Sequence, residues 1–182
     1  MGEAKNGSVV GDVKVPHCMV SLVPVEGAEV PRVFVATTHL KSKETAENEE
    51  TRRTQVEAVC GKVRREKGDD EAVILTGDFN TEPHDIDLYE AKAVEQVTRD
   101  LPEVGSAYEL EDRNHWTTWK KRGDKEFKRQ IDYIFYEKDR LGALEVMGAP
   151  EEADMKPHRL PCDRYPSDHL SIAVKLRWKG MS

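Results

Sequence analysis

Paired cysteines are missing from this chain. Its three cysteines, Cys18, Cys60 and Cys162, are scattered, odd in number and without a Cys-x-x-Cys pair. That excludes a disulfide framework and reads as reduced thiols in an intracellular, cytoplasmic protein, with the organelle left open. Long apolar runs are missing too: none approaches the roughly 18 residues of a membrane span. No signal-peptide core is recognisable, so the expectation is a soluble chain with no membrane partner. Met1-Gly2 opens like a myristoylation signal, but Asn6 stands where Ser or Thr is favoured. Nor is there an excess of positive charge. The net charge of −7 excludes coating nucleic acid through an overall field, so a phosphate-bearing partner must meet a local basic patch. Repeats, low-complexity tracts and a second domain boundary are all absent. The 182 residues therefore read as one domain, with residues 1–12 as a flexible lead-in carrying Gly2, Gly7 and Gly11.

What is present begins with two apolar, β-branched runs, Val13 to Val23 and Val33 to Thr38. Pro24, Gly27 and Pro31 lie between them, which predicts an antiparallel pair with a longish loop. Val56, Val59, Cys60 and Val63 then fall on one helical face, with Arg52, Arg53, Lys62, Arg64 and Arg65 facing elsewhere and Gly68 at the end. Val73, Ile74 and Leu75 read as a buried strand that runs through Gly77 into Asp78-Phe79-Asn80. Pro83 fits the first turn of a second helix, with Ile86, Tyr89 and Ala93 on its buried side. Residues 94–129 look irregular, and hold a basic cluster of Lys120, Lys121, Arg122, Lys125, Lys128 and Arg129. Ile131 to Tyr136 is a strand, four prolines between 148 and 166 forbid continuous regular structure, and Ile172 to Trp178 alternates like a strand with one buried face.

Four polar groupings share one placement, in or at the end of an apolar run: His39, Asp78 with Asn80, Asp132, and Asp168 with His169. Strand ends gathered at one sheet edge are where α/β proteins assemble sites. Asp132 inside a strand is costly without a partner, and His169 can supply one, with its imidazole tautomer fixed in return. Taken singly, each grouping has a structural explanation, and the basic cluster reads as a solvated face. Only a functional site accounts for all four together.

These residues carry a resemblance. Thr38-His39-Leu40, Gly77-Asp78-Phe79-Asn80, Ile131-Asp132-Tyr133 and Ser167-Asp168-His169 resemble, in order, the motifs of the endonuclease/exonuclease/phosphatase superfamily. Ala36-Thr37-Thr38-His39-Leu40-Lys41, Ser106-Ala107-Tyr108, Thr117-Thr118-Trp119-Lys120 with Arg122, Arg159-Leu160-Pro161 and Tyr165-Pro166-Ser167-Asp168-His169-Leu170-Ser171 resemble its nocturnin-type and carbon-catabolite-repressor-type deadenylase branch. The resemblance implies an α/β fold: the C-terminal half of a four-layer α/β sandwich, with a mixed, largely antiparallel sheet and helices on one face. It also implies a phosphoester hydrolase using Mg²⁺, with Mn²⁺ as the alternative. Asp78 would orient or deprotonate water, Asn80 bind phosphate, and His39 stabilise the transition state. His169, paired with Asp132, would bind or protonate at phosphorus, and Asp168 would assist the metal. Lys41, Lys120, Arg122 and Arg159 would hold substrate phosphates, either the 2′-phosphate of NADP(H) or the 3′ end of poly(A) RNA.

The resemblance covers only the second half of that fold. The first half brings a Glu in a Leu-Gln-Glu context as principal metal ligand, and neither that motif nor its companion Asn occurs in this sequence. The expectation is an incomplete domain with one sheet face uncovered, to be completed by a protein segment that supplies the N-terminal half. The competing expectation is a catalytically silent module that binds a nucleotide or a protein.

Overall fold

Short strands come first in the computed structural model, which describes residues 5–6, 9–10, 13–22, 31–108, 115–155 and 159–180. They are β1 (Lys5–Asn6), β2 (Val9–Val10) and β3 (Val13–Lys14), followed by β4 (His17–Leu22) and β5 (Arg32–His39). β4 and β5 form the expected antiparallel pair, and β1 adds to the outer edge of β4. The 1–12 segment thus contributes two short strands. Its remaining residues lie outside the described part, as do Pro24, Gly27 and Pro157.

Thr45 caps the helix α1 (Ala46–Glu66) by accepting from the Asn48 amide at 3.1 Å. The helix ends at Glu66 with Lys67 extended as its C-cap, which puts Gly68 in the position just past the cap where a glycine is expected. From there the chain enters β6 (Glu71–Asp78), which pairs with β5 in parallel. A parallel pair needs a crossover, and α1 provides it.

The expected helix after Pro83 does not form. Residues 82–92 are irregular, with an Ile86–Tyr89 bridge, and α2 (Ala93–Asp100) starts only at Ala93. The 94–129 region is also more regular than its composition suggests. It holds α2, β7 (Val104–Ser106) and the hairpin β8 (Thr118–Arg122) and β9 (Lys125–Arg129). Basic residues have weak strand propensity, so the hairpin rests on its two-residue turn, where Gly123 takes φ 60°. β10 (Asp132–Glu137), β11 (Leu141–Val146), the single turn α3 (Glu152–Met155) and β12 (Val174–Trp178) complete the chain.

Among the described residues the main sheet has six strands in the order β1-β4-β5-β6-β10-β7, antiparallel except at β5–β6. α1 and α2 cover one face. Val56, Val59, Cys60 and Val63 of α1 and Val94 and Val97 of α2 pack with Phe34, Ala36, Val73, Leu75, Phe79, Tyr133 and Phe135. On the other face, Val33, Val35 and Ile74 are only half-buried. The separate β11–β12 pair likewise leaves Leu144, Val146 and Met147 exposed. This is the α/β architecture expected, helices on one face and the second face incompletely covered. No helix among the described residues is long and apolar enough to cross a membrane.

Two charges expected on the outer side of α1 are inside: Arg52 is 0% exposed and Lys62 7%. Both have polar company. Glu49 and the carbonyls of Lys41 and Lys43 meet Arg52, and the Lys62 amine lies 3.0 Å from the His17 ring.

A second, smaller core joins Trp116, Trp119, Met155 and Leu160, with Cys162, Tyr165 and Leu170 against it. It fastens the proline-rich segment to the hairpin. The Leu160 and Leu170 amides donate to the carbonyls of Trp119 and Thr117, at 2.8 and 2.7 Å.

Candidate active site

Three strand ends meet because β6 lies between β5 and β10. His39 stands opposite Asp78 in one register, and Asp132 stands opposite Asp78 in the other. Backbone hydrogen bonds continue the pairing just past the strands, from Leu40 N to the Asp78 carbonyl (2.9 Å) and from Phe79 N to that of Ile131 (2.8 Å). Thr117 and Thr118 then bring in the fourth group. The Thr117 hydroxyl accepts from the Ile131 and Asp132 amides, and Thr118 donates to the Asp168 carbonyl at 2.7 Å. His169 therefore reaches the sheet edge from a segment with no regular structure.

The four groups converge on Asp78. Its Oδ2 lies 3.4 Å from His39 Nε2 and 4.0 Å from His169 Nε2, while His169 Nδ1 meets Asp132 Oδ2 at 2.9 Å. Burial, then the charge of Asp132, raises the Asp78 pKa above the usual carboxylate value. The hydrogen bond to Asp132 raises that of His169. Asn80, at φ 52°, gives its backbone amide to Asp78 Oδ1 (2.8 Å) and its side-chain amide to the Leu40 carbonyl (3.0 Å). A non-glycine residue rarely takes that conformation; here bonds from both ends hold it.

Beside this cluster lies a cleft of about 370 Å³, lined by Lys43, Asn80, Thr118, Lys120, Arg122, Phe127 and Arg129 among others. Lys120 bridges cleft and cluster: its amine is 2.7 Å from Asp168 Oδ2 and 3.4 Å from His169 Nε2. The ion pair with Lys120 lowers the Asp168 pKa. Of the basic residues singled out in the sequence, Lys120 and Arg122 line the cleft. Lys41 does not: it is exposed, with its backbone tied to Gln55 and Arg52. Arg159 does not either. Its guanidinium stacks 4.3 Å over Trp119 and bonds to Glu126. Lys43, Phe127 and Arg129 are lining residues that the sequence reading missed. Arg129 sat in a run of like charges, and only the fold shows its ion pairs with Glu44 and Glu82.

Asp78, Asp132 and His169 each offer a ligand atom, all within 4.8 Å of one another, and could hold a metal ion. The arrangement fits a divalent cation: two half-buried carboxylates oppose each other, and a cation would offset both the burial and, after it, the Asp132 charge that raise the Asp78 pKa. Asp168, expected to assist, faces Lys120 and stands outside this triad.

The Asp132–His169 pair yields a direct check. Because the folded pKa of His169 is raised, the pair's stabilisation is fully present below the unfolded value of about 6.5 and is lost as pH rises through the folded one. Asp132→Asn should lower the His169 pKa, read by NMR titration of the ring protons. An unchanged titration would mean that Asp132 does not hold the imidazolium.

Comparison with known proteins speaks to family and fold. The model of the endonuclease/exonuclease/phosphatase family matches residues 9–169. Nocturnin of Xenopus laevis is 36% identical over 105 residues, 55% of this chain and 26% of its own. Drosophila melanogaster nocturnin is 31% identical over 156 residues, 76% of this chain and 24% of its own. The chain thus spans about a quarter of the length of the curated relatives it matches. Among solved structures, the human nocturnin catalytic domain with bound sulfate superposes with a TM-score of 0.65 at 20% identity, covering 97% of this chain and 60% of that one. ANGEL2, a 2′,3′-cyclic phosphatase, gives 0.70 at 18% identity, over 97% of this chain and 68% of that one. The superpositions speak to the fold and the matched sequence speaks to descent: this chain belongs to the endonuclease/exonuclease/phosphatase family, on its nocturnin-type branch.

Proposed function

We propose that this chain carries the phosphate-handling part of a metal-dependent phosphoester hydrolase that acts on a nucleotide phosphate. The observation behind this is the Asp78-centred cluster beside a basic cleft, joined to it by Lys120. Asp78, its pKa raised above the usual carboxylate value by burial and then by the charge of Asp132, accepts the proton of an attacking water. His39 and the protonated His169 donate to the phosphoryl oxygens, where charge develops. Asn80 spends one amide hydrogen on Leu40 and keeps a second for phosphate. A divalent cation, Mg²⁺ or Mn²⁺, would be held by the Asp78 and Asp132 carboxylates of the triad, with His169 kept out of its ligand set as a donor, and would supply Lewis-acid polarisation of a phosphoryl oxygen. With Lys120 turned to substrate, Asp168 is released as the assisting carboxylate.

Lys120 and Arg122 take the remaining phosphates, while Lys41 and Arg159, expected to share that task, stand outside the cleft. Phe127 offers a ring for a base. A cleft of about 370 Å³ suits a small ligand better than an extended strand, and a net charge of −7 disfavours tracking long RNA. NADP(H), losing its 2′-phosphate, is therefore the preferred substrate, and the 3′ end of poly(A) is the second. The half-covered sheet face is where a segment completing the domain would pack. A silent binding module is the competing reading, favoured by His39, whose side chain is 67% exposed in a site walled on one side.

The test is phosphate release from NADPH, and AMP release from oligo(A), with Mg²⁺. Faster release from NADPH is expected. Release from neither, combined with binding of NADPH, would establish the silent module instead.

A further inference from the structure

Behind the cleft, two main-chain segments converge on one buried ion pair. Arg52 Nε donates to Glu49 Oε2 at 2.7 Å, with the two side chains 0% and 2% exposed. Arg52 Nη1 donates to the carbonyls of Lys41 (3.0 Å) and Lys43 (2.9 Å), on either side of Ser42. The other oxygen of Glu49 accepts from the Lys92 and Ala93 amides, both at 2.8 Å, where the start of α2 leaves amides without partners in the helix. The guanidinium also lies 5.1 Å over the ring of Tyr89, whose hydroxyl is 3.4 Å from that of Thr81, next to Asn80.

A buried ion pair contributes little net stability compared with a well-packed apolar pair. Stability alone is thus a weak reason for this one. What a guanidinium adds is a rigid fork that can bind two carbonyls and a carboxylate together. The carbonyls it binds belong to a strained segment: Lys43 sits at φ 79°, a conformation non-glycine residues avoid unless their surroundings impose it. Lys43 also lines the cleft.

We infer that Arg52 is a positioning residue of this site: its fork holds residues 41–43 in the strained path that sets Lys43 on the cleft wall, and Glu49 aligns the fork. The inference rests on reading the cleft as the nucleotide site. Arg52 touches neither the Asp78 cluster nor the cleft, and acts only through the loop.

Arg52→Lys keeps a charge for Glu49 but loses the fork. Amide hydrogen exchange of the variant should quicken about ten-fold at residues 41–44 while residues 73–76 of β6 stay within about two-fold of wild type. With NADPH, KM should rise about five-fold and kcat stay within about two-fold, since uniform binding is what is lost. Unchanged exchange at 41–44, or a uniform rise along the chain, would overturn the inference. If wild type shows no turnover, the proposed activity fails, and the exchange result still decides the role of Arg52. If Arg52→Lys does not fold, Lys43→Gly in the otherwise intact chain decides. Glycine takes φ 79° without strain, so Tm should rise by about 2 °C or more, and an unchanged or lower Tm overturns the inference.

Discussion

Asp78→Asn should lower turnover by roughly 10³-fold, on the order of 4 kcal/mol in transition-state stabilisation, while leaving the protein folded and at least as heat-stable as wild type. The two halves of that expectation come from the same atoms. Asp78 is the one group that both histidines and Asp132 approach, so removing its charge removes the base and loosens the hold on His39 and His169. In the resting protein, however, the carboxylate is disfavoured: burial and the charge of Asp132 both oppose its ionisation. Asparagine relieves that repulsion, and its carbonyl can still accept the Asn80 amide that Asp78 Oδ1 accepts at 2.8 Å. Sites assembled for chemistry often carry such a cost in stability. Turnover and thermal unfolding measured on one preparation check the pair. A variant that keeps more than a tenth of the activity would remove Asp78 from the chemistry. One that loses activity together with several degrees of Tm would mean that Asp78 serves the fold instead.

The parts of the site that were legible in the sequence are those fixed by strand pattern. Apolar runs ending in His39 and Asp78 predicted strand ends, Asp132 was read inside the Ile131–Tyr136 run and stands at the start of β10, and a sheet that pairs β5, β6 and β10 has to bring these positions together. The Asp132–His169 contact followed from the cost of an unpaired carboxylate in a strand, and it is present at 2.9 Å. Side chains whose surroundings come from elsewhere in the chain were not legible. Arg52 lies among polar residues on the helical wheel, and nothing local shows that Lys41, Lys43 and Tyr89 close over it. Arg129 and Phe127 look like members of a charged run until the Gly123 turn folds them back along β8. Pro83 had the right chemistry for a helix start, yet the amides of α2 are capped by Glu49 from another helix, ten residues further on. Tertiary partners chose that boundary over local propensity.

Among the described glycines, Gly77→Ala should be the most damaging single-methyl change. Gly77 sits one residue before Asp78 at φ 146°, where residues with a side chain are strained by about 1–3 kcal/mol. It also faces Thr38 across the parallel β5–β6 register, and a Cβ built on it would lie 1.9 Å from the Thr38 carbonyl oxygen and 2.9 Å from the Thr38 amide nitrogen. The obstacle is backbone, so no rotamer change relieves it; β5 must move away from β6 at the step that sets His39 against Asp78. β5 has little freedom to do so, because the Thr38 hydroxyl and the His39 amide are both bound to the Pro16 carbonyl, at 2.9 and 3.3 Å. A loss above about 3 kcal/mol is expected, a Tm drop of about 6–12 °C for a chain of this size. The same shift should widen the His39–Asp78 gap from 3.4 Å, so activity measured well below the new Tm should fall as well. Calorimetry together with an activity assay at low temperature separates the two effects. A Tm within about 2 °C of wild type would show that β5 and β6 accommodate the methyl, and that the close approach at Gly77 does not set the geometry of the site.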